Sequence, residues 1–216
     1  MDIMLKYLMF KIKVCGITNL EDANAAVSFG ADALGFVFYP KSPRKVTPET
    51  AKNIISSLPQ SITTVGVFVD EDKAKVEETA SYTGLDIIQF HGSESPEYCN
   101  FSRNIIKAIR VKELSDLKQL SDYSAYAFLL DTYSPNVIGG TGQVFKWEIA
   151  VEAKKYGKII LAGGLNPDNI EEAIKFVQPY GVDVSSGVEG TEKGKKDHKK
   201  LQLFIERARD AFQKYS

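Results

Sequence analysis

One short unit recurs along this chain: a run of β-branched and apolar residues, a loop, then residues apolar at helical spacing. The runs fall at 10–15, 32–38, 62–69, 85–90, 104–110, 126–131, 157–162 and 181–185. Several, such as Leu34-Gly35-Phe36-Val37-Phe38 and Thr64-Val65-Gly66-Val67-Phe68-Val69, are apolar almost throughout instead of alternating. Strands of that kind are buried on both faces, as in a parallel sheet covered by helices. Between the runs, Ala51, Ile54, Ile55 and Leu58 repeat at i, i+3, i+4 and i+7, and so do Leu201, Phe204, Ile205 and Ala208. Thr18 with Glu21 reads as a capping box, and Thr47-Pro48 and Asn166-Pro167 each set a capping side chain before a proline at the first helical position. Gly30, Gly84, Gly157 and Gly181 punctuate the returns from helix to strand. Eight such units in 216 residues predict an α/β fold, a (β/α)8 TIM barrel near the short end for that architecture. An open, doubly wound sheet shares the same alternation and is the alternative.

A chain of this length, 44% hydrophobic, can bury one core, so one domain is expected over 1–216, with 1–9 as an N-terminal extension. A net charge of −1 argues against a nucleic-acid surface or a basic patch drawn to membranes. The basic stretch at 193–200 abuts a helical pattern and reads as a solvated helix start. The opening residues are apolar in places but carry Asp2 and Lys6 and are too short to span a bilayer. Two cysteines and no secretory segment point to a reducing cytoplasm. His91, His198 and Cys99 lack metal-ligand spacing, and no Walker or dinucleotide glycine motif occurs, so neither a metal nor another cofactor is expected.

In a barrel, chemistry gathers where strands end and loops begin. Cys15 closes the first strand, and strand alternation puts Lys13 on its face. An ammonium below that thiol would favour the thiolate, the form that acts as a base. Asp131 ends the sixth strand, as a general acid/base or as a helix or loop cap. His91 follows Gln89-Phe90 at the fourth strand's end, to contact substrate or to serve packing. Arg44, in the loop Tyr39-Pro40-Lys41-Ser42-Pro43-Arg44, could bind a carboxylate bidentately or stand in solvent. Glycine and serine loops follow the last two strands: Ala162-Gly163-Gly164-Leu165, and Asp183-Val184-Ser185-Ser186-Gly187. That placement is a recurrent phosphate cradle, because glycine lets backbone N–H groups approach an anion. Gly139-Gly140-Thr141-Gly142 follows the sixth strand and could close over the same ligand. Each glycine loop could instead be only a tight turn, and Asp183 could hold its loop or bind a sugar hydroxyl. Trp147 and the many Phe and Tyr residues read as packing.

Together these motifs resemble the phosphoribosylanthranilate isomerase family. The resemblance rests on Lys13-Val14-Cys15-Gly16-Ile17-Thr18, Gly35-Phe36-Val37-Phe38-Tyr39-Pro40-Lys41-Ser42-Pro43-Arg44 and Gln89-Phe90-His91-Gly92. It continues through Leu129-Leu130-Asp131-Thr132, Gly139-Gly140-Thr141-Gly142, Ala162-Gly163-Gly164-Leu165-Asn166-Pro167 and Asp183-Val184-Ser185-Ser186-Gly187-Val188-Glu189. It implies a cofactor-free Amadori rearrangement of N-(5-phosphoribosyl)anthranilate to 1-(2-carboxyphenylamino)-1-deoxyribulose 5-phosphate in tryptophan biosynthesis. By motif, Cys15 would be the base and Asp131 the acid, with Arg44 on the anthranilate carboxylate. Asp183, His91 and Lys13 would line the substrate site. Gly140, Gly142, Gly163, Gly164, Ser185, Ser186 and Gly187 would hold the phosphate. The partner would be a phosphorylated small molecule, and the chain a monomer or homodimer. Departures are confined to loop detail: Lys146 before Trp147, Lys193 before Gly194, and Phe90 in the third motif. Rival readings are another sugar-phosphate barrel enzyme, a non-catalytic binder, or a redox pair of Cys15 with Cys99.

Overall fold

The structure is a computed structural model that describes residues 10–131 and 142–215. Eight parallel strands close into a barrel in chain order. They are β1 (Ile12–Cys15), β2 (Ala33–Val37), β3 (Thr63–Phe68), β4 (Ile87–Phe90), β5 (Asn104–Arg110), β6 (Ala127–Asp131), β7 (Ile159–Ala162) and β8 (Gly181–Val184). Closure comes from β1 pairing with β8, in a register that sets Lys13 beside Asp183. Helices α1 (Leu20–Ser28), α2 (Pro48–Ile55), α3 (Lys73–Thr83), α4 (Gly142–Ala153), α5 (Ile170–Val177) and α6 (His198–Tyr215) surround it. All eight expected strands are present and the open-sheet alternative is excluded. The expected N-terminal extension, 1–9, lies outside the described residues.

The near-continuous apolar strands are explained by two cores. Outward residues such as Val14, Leu34, Phe36, Phe90 and Leu130 pack under the helices. Inward ones, including Ala33, Val65, Ile87, Ile106, Ala108, Leu129 and Ile160, fill the barrel over Phe10. On α6 the predicted stripe of Leu201, Phe204, Ile205 and Ala208 is buried, and it packs toward α5 and α1.

The helical expectation needs three corrections. First, the β4–β5 connection is built of turns and the β5–β6 connection is a 3-10 helix, Leu114–Asp122. In the first of these, backbone donors are taken by side chains: Glu94 accepts from Asp70 and Gly92 N–H groups, and Asp70 from Ser93. Buried Lys107 then fastens Glu94 and the Gly92 carbonyl at 2.8 and 2.7 Å. Second, Asn19, not Thr18, caps α1, accepting from Asp22 N–H at 2.8 Å, while the Thr18 hydroxyl donates to the Gly194 carbonyl. Third, Pro167 lies in a turn before α5, whose cap position is Asn169. Thr47 caps α2 as expected. Gly84 ends α3 in the left-handed conformation, whereas Gly181 is the first residue of β8 and not part of the preceding turn.

Candidate active site

At the C-terminal ends of the strands lies a cavity of about 670 Å³. Small inward residues make the room, with Gly35, Ala108 and Ala162 contributed by three different strands. Gly35 is needed for a second reason. A Cβ there would stand 2.8 Å from Cys15 Sγ and 3.1 Å from Lys13 Nζ, closer than the two side chains permit.

Cys15 ends β1, buried, on the cavity wall. Its backbone is pinned on both sides. The N–H groups of Gly16 and Ile17 donate to the Gly35 carbonyl at 2.9 and 3.0 Å. Lys196 Nζ donates to the Cys15 carbonyl at 2.7 Å and to the Ser185 carbonyl at 3.1 Å. Lys13 points into the barrel beneath the thiol, as alternation predicts, and meets Asp183 Oδ1 at 2.8 Å. Burial works to lower the affinity of Lys13 for its proton, but Asp183 and Cys15 outweigh it, so the ammonium is held above its ordinary value. Burial pushes the Asp183 carboxyl up, against the pull of Lys13. At 2.8 Å we describe the pair as ammonium and carboxylate.

Lys13 acts on the thiol in the expected direction, but burial outweighs it. Burial pushes the Cys15 thiol up, Asp183 adds to that, and the positive charges of Lys13 and Lys196 only partly offset it. Lys13 also faces Asp183, and on balance the thiol is held above its ordinary value. The redox alternative gains nothing either: Cys15 and Cys99 are both free.

Across the cavity, Asp131 ends β6 with about a quarter of its side chain exposed, and His91 Nε2 stands 3.5 Å from its Oδ2. Gln89 Nε2 lies 3.4 Å from His91 Nδ1, and buried Gln89 Oε1 has no hydrogen-bond partner among the described residues. Arg44 also faces the cavity, but its Nε and Nη2 both engage Glu189, at 2.5 and 2.7 Å. That bond holds the Arg44 guanidinium above its ordinary value. Burial raises the Glu189 carboxyl, yet Arg44 and Lys196 outweigh it and keep it below the usual range.

Gly163, Gly164, Ser185, Ser186 and Gly187 all line the same cavity, as expected. Gly163 and Gly164 have φ of 78° and 73°, a left-handed pair that side chains other than hydrogen rarely tolerate. Thus the backbone after β7 can turn its amides inward. Gly140 lies outside the described residues. Gly142 opens α4.

Five cavity or rim residues carried no role in the sequence reading. Gln89 was visible as an inward position of β4, one turn of the pleat above Ile87. Arg110 has the same inward parity as Ile106 and Ala108, and it lies beside Asp131 in the β5–β6 register. Trp147, read as packing, is buried against Phe176 with ring centroids 6.0 Å apart, and also forms cavity wall. Glu189 gave no signal beyond its motif. Lys196 contradicts the solvated reading of 193–200: it is only 6% exposed, and burial lowers its ordinary proton affinity.

A closed parallel barrel with a polar cavity at this end is the arrangement of (β/α)8-barrel enzymes, and this chain falls in that class. Its sequence then narrows the class. The family profile for N-(5'-phosphoribosyl)anthranilate (PRA) isomerase matches residues 12–207. A Geobacter sulfurreducens protein called N-(5'-phosphoribosyl)anthranilate isomerase is 54% identical over 202 residues, 93% of this chain and 99% of that protein. The crystal structure of phosphoribosyl anthranilate isomerase from Thermotoga maritima superposes with a TM-score of 0.86 at 44% identity, covering 94% of this chain and 100% of that one. A crystal structure of such an isomerase in complex with reduced 1-(o-carboxyphenylamino)-1-deoxyribulose 5-phosphate gives 0.84 at 42% identity, with the same coverage. The chain belongs to the N-(5'-phosphoribosyl)anthranilate isomerase family.

Among the described residues no helix is long and apolar enough to cross a membrane. Nor is any group of three or more His, Cys, Asp or Glu among them placed to hold a metal ion.

Proposed function

We propose that this chain isomerises N-(5-phosphoribosyl)anthranilate to 1-(2-carboxyphenylamino)-1-deoxyribulose 5-phosphate in tryptophan biosynthesis, with Asp131 as general acid and Cys15 as general base. One observation carries the residue assignment. A thiol at the end of β1 and a carboxyl at the end of β6 line a single cavity whose rim includes the glycine and serine loops after β7 and β8.

Asp131 gives its proton to the furanose ring oxygen as the C1′–oxygen bond breaks, which leaves a cationic Schiff base. That positive charge acidifies the C2′ proton and, beside Cys15, favours the thiolate that burial disfavours. Cys15 removes the proton, the electron pair forms the C1′–C2′ double bond of an enolamine, and tautomerisation gives the ketone. No external reductant is involved: C2′ is oxidised as C1′ is reduced. Each proton transfer contributes roughly 10²- to 10⁴-fold. Arg44, held flat by Glu189, offers its remaining N–H edge to the ring carboxylate. Gly163, Gly164, Ser185, Ser186 and Gly187 hold the phosphate, joined in this reading by Gly140 and Gly142. Asp183, anchored by Lys13, faces the ribose, and His91 sits against Asp131.

The chain acts as one barrel domain in the cytoplasm, as a monomer or homodimer; a Thermotoga maritima relative is described as dimeric. The test is turnover of phosphoribosylanthranilate, followed by its fluorescence. Cys15→Ala and Asp131→Asn are each expected to lower kcat by about 10²-fold or more while inorganic phosphate still binds. Near-normal turnover by either variant refutes that residue's role.

A further inference from the structure

The substrate proposed above has an anion at each end, and the cavity has two arginines. Arg44 is already engaged, with two of its donors on Glu189. The lysines beneath are engaged as well: Lys13 meets Asp183, and Lys196 meets two backbone carbonyls and Glu189. Arg110 differs. It ends β5 at an inward position, lines the cavity and stands exposed, and its side chain makes no hydrogen bond or ion pair among the described residues. It does not close on Asp131, its neighbour in the register, although a carboxylate is the partner a guanidinium usually takes.

From this we infer that Arg110 is a second anchor for the carboxylate on the aromatic ring of the substrate, so that the ring end is held between Arg44 and Arg110. The inference rests on the substrate orientation proposed above. The phosphate end is committed to the loops after β7 and β8. Val37 of β2, Val67 of β3 and Val69 just after β3 give an apolar wall suited to an aryl ring. A carboxylate on that ring then meets a guanidinium whose fork is unspent among the described residues. Arg110 is a binding residue in this account, with no part in proton transfer.

The decisive comparison uses two substrates, phosphoribosylanthranilate and N-(5-phosphoribosyl)aniline, which lacks the carboxylate. Arg110→Gln is expected to lower kcat/KM for the first by about 10- to 100-fold, mostly through KM, as for loss of a hydrogen bond to a charged group. For the aniline analogue the same substitution should change kcat/KM by less than about threefold. Arg110→Lys keeps the charge but loses the fork, and should recover only part of the loss. The exposed Lys112, two residues on, serves as a control for general electrostatic steering, with Lys112→Gln leaving both substrates unaffected.

Equal losses for both substrates would mean that Arg110 serves the phosphate, the Asp131 side or the encounter rate, and the inference would fall. No loss for either would also overturn it. If the wild-type enzyme itself does not separate the two substrates, carboxylate recognition as a whole is wrong, Arg44 included. If it separates them and Arg110→Gln leaves the separation intact, only the role of Arg110 is lost.

Discussion

Gly35→Ala adds one methyl group to the centre of the site. The new carbon would sit 2.8 Å from Cys15 Sγ, 3.1 Å from Cys15 Cα and 3.1 Å from Lys13 Nζ. Ordinary contacts lie near 3.5–4.0 Å, so the sulfur must recede by about 0.7–1.2 Å. Rotation of the thiol alone does not relieve the contact with Cys15 Cα. The backbone there resists movement, because Gly16 and Ile17 both donate to the Gly35 carbonyl. A shift of about 1 Å in a reacting group can cost roughly 10²-fold in rate. Overpacking of this kind costs about 1–3 kcal/mol of stability, or roughly 2–12 °C in melting temperature for a chain of this size. Since the β7 and β8 loops are untouched, KM should change by less than about threefold while kcat falls. Steady-state kinetics with phosphoribosylanthranilate, beside a thermal melt and phosphate binding, separate these effects. A variant that melts several degrees lower yet keeps kcat within about twofold would refute the placement of Cys15 as the base.

Two further outcomes follow from the buried charges. Lys13→Met leaves Asp183 buried and unpaired, and should cost about 3–5 kcal/mol; Lys13→Met with Asp183→Leu should regain much of the melting temperature but not kcat. If the single and double variants melt alike, the pair is not the buried ion pair described. The second outcome concerns pH. The folded chain holds the Cys15 proton more tightly than the unfolded chain, whose thiol titrates near 9.0. Above that pH the unfolded state binds fewer protons, so stability from the neutral thiol, full below pH 9, is lost as pH rises. Denaturation of wild type and Cys15→Ala should therefore diverge above about pH 9, with wild type losing stability faster; parallel curves would show that the thiol is not raised.

The strands were legible because a barrel imposes one rule on all of them: each is largely apolar on both faces, and a polar residue in or at the end of one is exceptional. Cys15, Asp131 and Asp183 stood out for that reason, and the cavity gathers them. The helices were less legible where side chains compete for backbone donors. Glu94 and Asp70 accept the N–H groups that a helix after β4 would have used, and no local periodicity warns of this. Lys196 was hidden differently. A lysine in a basic run looks solvated, and only the closure of β8 on β1 brings the Cys15 and Ser185 carbonyls within its reach. The same closure pairs Arg44 with Glu189 across 145 residues, a contact no spacing rule encodes.

The charges around Cys15 form a balanced set, and the balance bears on when the base is made. Lys13, Lys196 and Arg44 supply three positive charges, and Asp183 and Glu189 two negative ones. One net positive charge remains, too little to ionise a buried thiol by itself. A stronger local field would give a standing thiolate, open to oxidation and alkylation between turnovers. A weaker one would leave the base unavailable even with substrate bound. The proposed Schiff-base cation supplies the missing charge only after Asp131 has protonated the ring oxygen. The order of the two proton transfers is then set by electrostatics, acid first and base second, with no moving part required. Removing Asp183 alone would tip this balance, exposing the thiol to the full charge of Lys13 and uncoupling base formation from ring opening.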